Sequence, residues 1–250
     1  MRVVTYNVHG WTGWPPGAYG ESEPRELFEL VGELIGEALA EHEPDIVTLS
    51  EAPPSPALDA LARALGMRVV VFASSWCWPG ILLTGYEVRE AASYSLDRGM
   101  WSRALFTRHW GRCILETEFG EVVVHSVHLH PNSRSRVHRL EVHEVLRCVG
   151  PELGAGLSVL VQGDLNHDPS EEVYAEWLRA GLTDAFASAG VGRGETFKVG
   201  ELTRRIDYIL VGGELAKRIA ECRVLSDPPF NVGADGRALS DHLPLLAIFK

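Results

Sequence analysis

Short apolar runs recur along this chain of 250 residues, and each meets a polar or ionisable side chain. Asn7 follows VVTY, Glu51 follows DIVTLS, His128 follows VVVHSV, and Asp164 and Asn166 follow LSVLVQG. Asp207 stands inside RRIDYIL, and Asp241 with His242 precedes the last run. Runs this short and this apolar read as buried strands rather than helices. A rigid strand positions the side chain at its end while the following loop leaves it accessible, so chemistry in such folds gathers at strand ends.

The remaining segments fit around those strands. The pattern predicts strands over 3–8, 45–49, 68–72, 157–161, 205–211 and 243–249. A Gly-, Pro- and Trp-rich loop covers 9–20, and a helix starts near Pro24, with Leu27, Leu30, Val31, Leu34, Ile35 and Ala38 on one face. Shorter helices are expected over 57–65 and after Pro169-Ser170, and a longer one over 133–148. Segments 81–84, 86–92, 102–107, 113–118 and 121–127 follow one another with hairpin-like spacing, which implies antiparallel neighbours; the turn at Phe119-Gly120 is the firmest. No repeat, low-complexity tract or linker interrupts the interleaving, so one α/β domain over 1–250 is expected, with mixed sheets covered by helices.

Charge and cysteine content narrow the function classes. The chain has 23 Lys and Arg against 34 Asp and Glu, a net charge of −11. That balance argues against wrapping nucleic acid by bulk charge and leaves local phosphate binding open. Cys77, Cys113, Cys148 and Cys222 lie far apart without metal-site spacing, so neither structural zinc nor a disulfide framework is indicated. No secretory leader and no apolar run near 18 residues is visible, so the expected compartment is the cytoplasm, with no membrane span and a monomer as default.

Isolated, Asn7 reads as a turn former and Glu51 as a surface charge. Asp207 is harder to dismiss, because a carboxylate among apolar neighbours costs several kcal/mol to bury unless it is paired. His242 is the obvious partner. Asp164 and Asn166, two apart on an extended stretch, point the same way and can share one ligand. Together, TYNVHG, DIVTLSE, VHL, GDLN, RRIDYIL and SDHLP resemble, in order and across the whole chain, the motifs of the endonuclease/exonuclease/phosphatase superfamily of metal-dependent phosphoesterases.

The resemblance implies a four-layer α/β sandwich, two mixed, mainly antiparallel sheets face to face with helices outside. It implies one or two Mg²⁺ or Mn²⁺ ions, with Glu51, Asn7 and Asp241 as ligands and Asp164, Asn166 and His242 around a second ion. Asp164 would orient or deprotonate the attacking water, Asn166 would hold a phosphate oxygen or that aspartate, and the Asp207–His242 pair would bind phosphate or act as base. His128 would serve as donor or general acid, with His130 on the same strand side as a competitor and His125 opposite and structural. Arg134, Arg136 and Arg139 form a local phosphate-attracting patch, and Arg103 and Arg205 are weaker candidates.

The chain departs from the family pattern in three places. His9 stands where many relatives carry Asp, Ser50 replaces the usual glutamine, and PGILL over 79–83 lacks the Gly-x-Ala-x-Leu form. None removes a catalytic residue. The expected activity is hydrolysis of a small, lipid-headgroup or single-stranded nucleic-acid phosphoester. The alternatives are an abasic-site DNA repair endonuclease and a catalytically silent phosphate-binding protein. Trp11, Trp14, Trp76, Trp78 and Trp101 are available to stack on bases or to fill the sandwich.

Overall fold

A computed structural model describes residues 1–11, 25–53, 55–74, 77–95, 106–232 and 236–250. Trp14, Trp76, Trp101 and Arg103, and most of the strand expected over 102–107, lie outside these residues; Phe106 and Thr107 are not in a strand.

In chain order the elements are β1 (Arg2–Asn7), α1 (Arg25–Ala40), β2 (Ile46–Ser50), α2 (Ser55–Leu65), β3 (Arg68–Phe72), β4 (Gly80–Thr84), β5 (Glu87–Ser93), β6 (His109–Thr117) and β7 (Gly120–His128). They continue as α3 (Arg136–Gly154), β8 (Ser158–Asp164), α4 (Glu172–Arg179), β9 (Thr183–Asp184), α5 (Ala185–Ala189), β10 (Gly190–Val191), β11 (Asp207–Gly212), β12 (Ile219–Val224) and β13 (Leu245–Phe249). Among the described residues these strands form a 7-stranded sheet, β10-β12-β13-β1-β2-β4-β3, and a 6-stranded sheet, β5-β6-β7-β8-β11-β9. The pairs β1–β2, β7–β8 and β10–β12 are parallel and the others antiparallel.

Side-chain alternation builds the layers. Val3, Ile46, Leu82, Val124, Leu160 and Ile209 meet between the two sheets. Their chain neighbours Val4, Val47 and Leu83 point outward onto Val31, Ile35 and Leu39 of α1 and Leu61 of α2. Val123, Val161 and Leu210 point the other way, onto Val142, Val145 and Val149 of α3 and Trp177 of α4. Each central strand therefore carries apolar residues on both faces, which is why it reads as a continuous run rather than an alternating one. The result is the four-layer sandwich, helices–sheet–sheet–helices.

Three local readings change. In α1 the buried face is Val31, Ile35 and Leu39, while Leu30 and Leu34 are exposed. Helix α3 starts at Arg136 and runs through Pro151 to Gly154, longer than the apolar spacing predicts. Trp11 is 1% exposed and belongs to the core beneath α1, so it lines no groove.

Candidate active site

The inward faces of four strands change character at one level. Along β1 the inward positions run Val3, Thr5, Asn7; along β2, Ile46, Thr48, Ser50; along β7, Val124, Ser126, His128; along β8, Leu160, Gln162, Asp164. Register puts Thr5 beside Thr48, Asn7 beside Ser50, and Ser126 beside Gln162. The apolar core thus gives way to a polar floor, bridged from sheet to sheet by Gln162 Nε2 donating to Thr48 Oγ1 at 3.0 Å. Asp207 opens β11 rather than lying inside it, directly opposite Asp164 in an antiparallel pair. Residues 239–244 enter β13, antiparallel to β1, at the same end. The site accordingly draws on C-terminal ends of parallel strands and N-terminal ends of antiparallel ones.

Asp164 is the centre. Its Oδ2 accepts from Asn7 Nδ2 at 3.1 Å and lies 3.5 Å from His128 Nε2 and 3.7 Å from His242 Nε2. Asn7 Nδ2 also donates to Glu51 Oε1 at 3.2 Å, and His9 N–H donates to Asn7 Oδ1 at 3.1 Å, which fixes the amide's orientation. Glu51 Oε1 is 3.9 Å from His128 Nε2, and Asp241 Oδ1 is 3.9 Å from His242 Nε2. The structure therefore gathers Asn7, Glu51, His128, Asp164, Asp207, Asp241 and His242.

Burial, with Asp207 and Glu51 adding to it and His242 and Asn7 opposing it, pushes the Asp164 carboxyl up to about 7. Burial also raises Glu51. For His242, burial alone would favour the neutral ring. The Asp207 carboxylate, 2.8 Å from Nδ1, overrides it and holds the imidazolium to about 10. Thr196 Oγ1 donates to the same Asp207 oxygen at 2.6 Å, and the Phe197 ring packs 4.8 Å from the His242 ring. His128 is driven the other way, well below the usual imidazole range, by burial and then by His109, Arg108 and His242. One histidine is held charged and the other neutral.

Asn166 departs from the extended geometry expected of it, with φ 54°. Its N–H donates to Asp164 Oδ1 at 3.0 Å and its Nδ2 to Leu129 O at 3.0 Å, so it fixes the aspartate through its backbone. Gly163 lets β8 approach β7: it has φ 140°, and a Cβ there would meet Val127 O at 1.9 Å.

Arg134 and Arg139 line a cavity of about 430 Å³ together with Ser133, Glu171, Glu172 and Glu176, and Arg136 is exposed at the first turn of α3. Arg205 is engaged by Asp184 at 2.6 Å and lies over the Tyr208 ring. His130 Nδ1 accepts from Asn132 N–H at 3.1 Å, and His125 bonds Glu152 at 2.8 Å and Trp110 at 3.0 Å on the outer face of its sheet. Trp78 is half-buried.

Sequence reasoning passed over Thr196, Ser240 and His109. Ser240 Oγ donates to Asn7 O at 2.7 Å and accepts from His242 N–H at 3.1 Å, and it stands in the SDHLP motif, where it was findable. Thr196 reaches the site through the bridges of Phe197 to Arg204 and His242, a long-range pairing with no local signature. His109 lies 6.2 Å from the His128 ring and bonds Ser126 Oγ at 3.0 Å, from a stretch that carries no motif.

The donor set fits a hard divalent cation. Glu51 Oε2 and Asp207 Oδ1 are buried carboxylate oxygens with no hydrogen-bond partner among the described residues. Ligand atoms of Asp164, Asp207 and His242 also lie within 4.8 Å of one another. Oxygen donors crowded in this way suit Mg²⁺ or Mn²⁺.

A profile of the Endonuclease/Exonuclease/phosphatase family matches residues 4–242. This chain belongs to that family. Endonuclease/exonuclease/phosphatase proteins are hydrolases of phosphoesters and are generally divalent-metal dependent. The fold is similar to that of the mannosyl-6-phosphatase from Bacteroides thetaiotaomicron VPI-5482, with a TM-score of 0.76 at 16% identity over 100% of this chain and 99% of that one. It is similar to TDP2 from D. rerio complexed with single strand DNA product, with a TM-score of 0.74 at 17% identity over 100% and 98%. A functionally unknown conserved protein from Enterococcus faecalis V583 gives a TM-score of 0.74 at 19% identity over 100% and 99%. At these identities the likeness is one of fold. No curated protein sequence matches the chain significantly. Among the described residues no helix is long and apolar enough to cross a membrane.

Proposed function

We propose that the chain is a divalent-metal-dependent phosphodiesterase or phosphatase acting on a small phosphorylated molecule, a phospholipid headgroup or a single-stranded nucleic-acid end. One observation carries the reading. A single carboxylate oxygen, Asp164 Oδ2, is approached by an amide, a neutral imidazole and an imidazolium within 3.1 to 3.7 Å. That surrounds a proton acceptor with the donors that a phosphoryl group needs.

Glu51 and Asp241 would hold Mg²⁺ or Mn²⁺, with Asn7 joining them through Oδ1 only if its amide turns over from the orientation in which Nδ2 faces Glu51 and Asp164; the ion would supply positive charge against the phosphoryl oxygens and the charge that develops on hydrolysis. Asp164 orients the attacking water and takes its proton as the new P–O bond forms, the P–O bond to the ester oxygen breaks, and that oxygen leaves with the bonding pair and is protonated to the alcohol. The His242 imidazolium donates to a non-bridging phosphoryl oxygen, and Asp207 keeps it charged. In that state the ring has no free lone pair, which supports one ion at the Glu51 side over a second at His242. His128, neutral, hydrogen-bonds the phosphoryl or leaving oxygen through Nε2, and Asn166 keeps Asp164 aimed.

The charge distribution supports a compact substrate. Arg134 and Arg139 share their cavity with Glu171, Glu172 and Glu176, so their field is largely offset locally. The phosphatase and the single-stranded DNA complex among the fold neighbours both handle ligands of the proposed size. The four cysteines are unbonded, which supports a reducing, cytoplasmic setting.

The test is a phosphoester panel with Mg²⁺, Mn²⁺ or EDTA. It includes bis-p-nitrophenyl phosphate, its monoester, abasic duplex, single-stranded DNA and RNA, lysophospholipid and inositol phosphates. Metal-dependent turnover of a compact or single-stranded ester, lost in Asp164→Ala, is expected. Efficient cleavage of abasic duplex alone would replace the substrate assignment, and no turnover of any ester would remove the enzyme reading.

A further inference from the structure

Helix α3 carries two buried polar side chains, His138 and Glu141, both 0% exposed on an otherwise apolar face. They are three apart and so lie on one side of the helix. Neither is among the groups gathered at Asp164. Both close on the same backbone unit. Glu141 Oε2 accepts from His130 N–H at 2.6 Å, and His138 Nδ1 donates to His130 O at 2.7 Å. Glu141 Oε1 additionally accepts from Thr107 N–H at 2.8 Å and Thr107 Oγ1 at 3.0 Å. The helix itself is fixed at this end by Ser135, whose side chain accepts from His138 N–H at 3.1 Å.

The clamped residue is two positions from His128. Between them, Leu129 N–H donates to Asp164 O at 3.0 Å and Leu129 O accepts from Asn166 Nδ2 at 3.0 Å. Residues 128–130 therefore form a strap held by α3 on one side and by the Asp164–Asn166 turn on the other. A loop leaving a strand end has no ladder to pair its backbone, so both polar groups of His130 need partners, and two buried side chains of α3 supply them. Burying a carboxylate to accept backbone N–H groups is costly, as the rise of Glu141 to about 7 on burial reflects.

We propose that His138 and Glu141 are positioning residues that set the height of the 128–130 strap, and through it the placement of His128 against Asp164. The proposal rests on the phosphoesterase reading for its consequence in catalysis, but not for the geometry of the strap. His138 and Glu141 touch no substrate.

Four substitutions test this. Glu141→Gln leaves one acceptor oxygen for donors that now use two, and His138→Ala removes the donor to His130 O. His138→Asn can return an N–H near the Nδ1 position. The expected result is a fall in kcat of about 10- to 100-fold for Glu141→Gln and His138→Ala, with KM within about 2-fold and partial recovery in His138→Asn. In a His128→Ala background, measured in single turnover, Glu141→Gln should cost under about 2-fold more, because the group it positions is gone. Equal losses in both backgrounds, or losses that follow Tm across the variants, would overturn the proposal. A second readout needs no substrate: amide exchange at His130 should quicken and the His128 ring resonances should shift in Glu141→Gln. If the wild type hydrolyses no ester, the phosphoesterase reading fails while these signals still decide the strap. Unchanged His128 resonances would refute it.

Discussion

At the scale of single residues, the site sets opposite demands on two neighbours. Asp164 has its proton affinity raised by burial to about 7, above the ordinary 3.8, so ionising it costs folded-state stability. That cost is absent below pH 3.8 and grows until about pH 7. Asp164→Asn should therefore be at least as stable as wild type in EDTA, with a Tm advantage that widens from pH 4 to 7, while kcat falls about 10²- to 10⁴-fold. A variant less stable than wild type at pH 7 would contradict the buried-charge argument. His242 runs the other way: its raised folded value means the pair with Asp207 stabilises fully below 6.5 and is lost as pH climbs through about 10. In Asp207→Asn the strongest charge partner of His242 is gone, and Asp164 and Asp241 alone oppose burial. The basic limb of the kcat/KM profile should move down from near 10, and a limb that stays in place would separate His242 from that ionisation. That Asp164, Asp207, His242, Glu51 and Asn7 come together was readable because each stands at the edge of an apolar run. Thr196 was not, because only the pairing of distant loops brings its hydroxyl to Asp207.

At the scale of elements, β7 and β8 fix the distance across the site. Their parallel pairing puts His128 and Asp164 at the same end, and Gly163 permits the close approach. Gly163→Ala inserts a methyl at 1.9 Å from Val127 O and forces an alanine into φ 140°, so strand separation and a strained backbone act together. It should destabilise the fold by about 3 kcal/mol in urea titration and lower kcat of the folded fraction. Loss of stability with unchanged kcat would show that strand spacing does not govern the site. Strands were legible at this scale because the central ones are apolar on both faces. Helix ends were less so: α3 passes Pro151, and the short pieces β9, β10 and α5 offer too few residues for any periodicity to register. The buried face of α1 was misjudged at Leu30 and Leu34, since an apolar residue at a helix edge looks the same in sequence whether it is covered or not.

At the scale of the whole molecule, the −11 charge divides into an ordinary acidic surface and a concentrated interior group, Glu51, Asp164, Asp207 and Asp241. Crowded carboxylates repel one another until a cation joins them, so Mg²⁺ or Mn²⁺ should raise Tm with a concentration dependence set by mass action. The shift should be lost in Glu51→Gln by differential scanning calorimetry, and a shift that survives that change would move the ion elsewhere. The order of apolar runs, their polar ends and the interleaved helices were enough to determine the layered α/β class and the residues that meet. Their local chemistry is short-range, and short-range information is what a sequence holds. The tertiary structure alone decided that Trp11 belongs to the core, and that burial and partners favour the charged ring at His242 and the neutral one at His128. Those outcomes depend on burial and on partners far apart in the chain, such as Thr196, Asp207 and His242, or His130, His138 and Glu141, and burial exists only once the sheets have closed on each other.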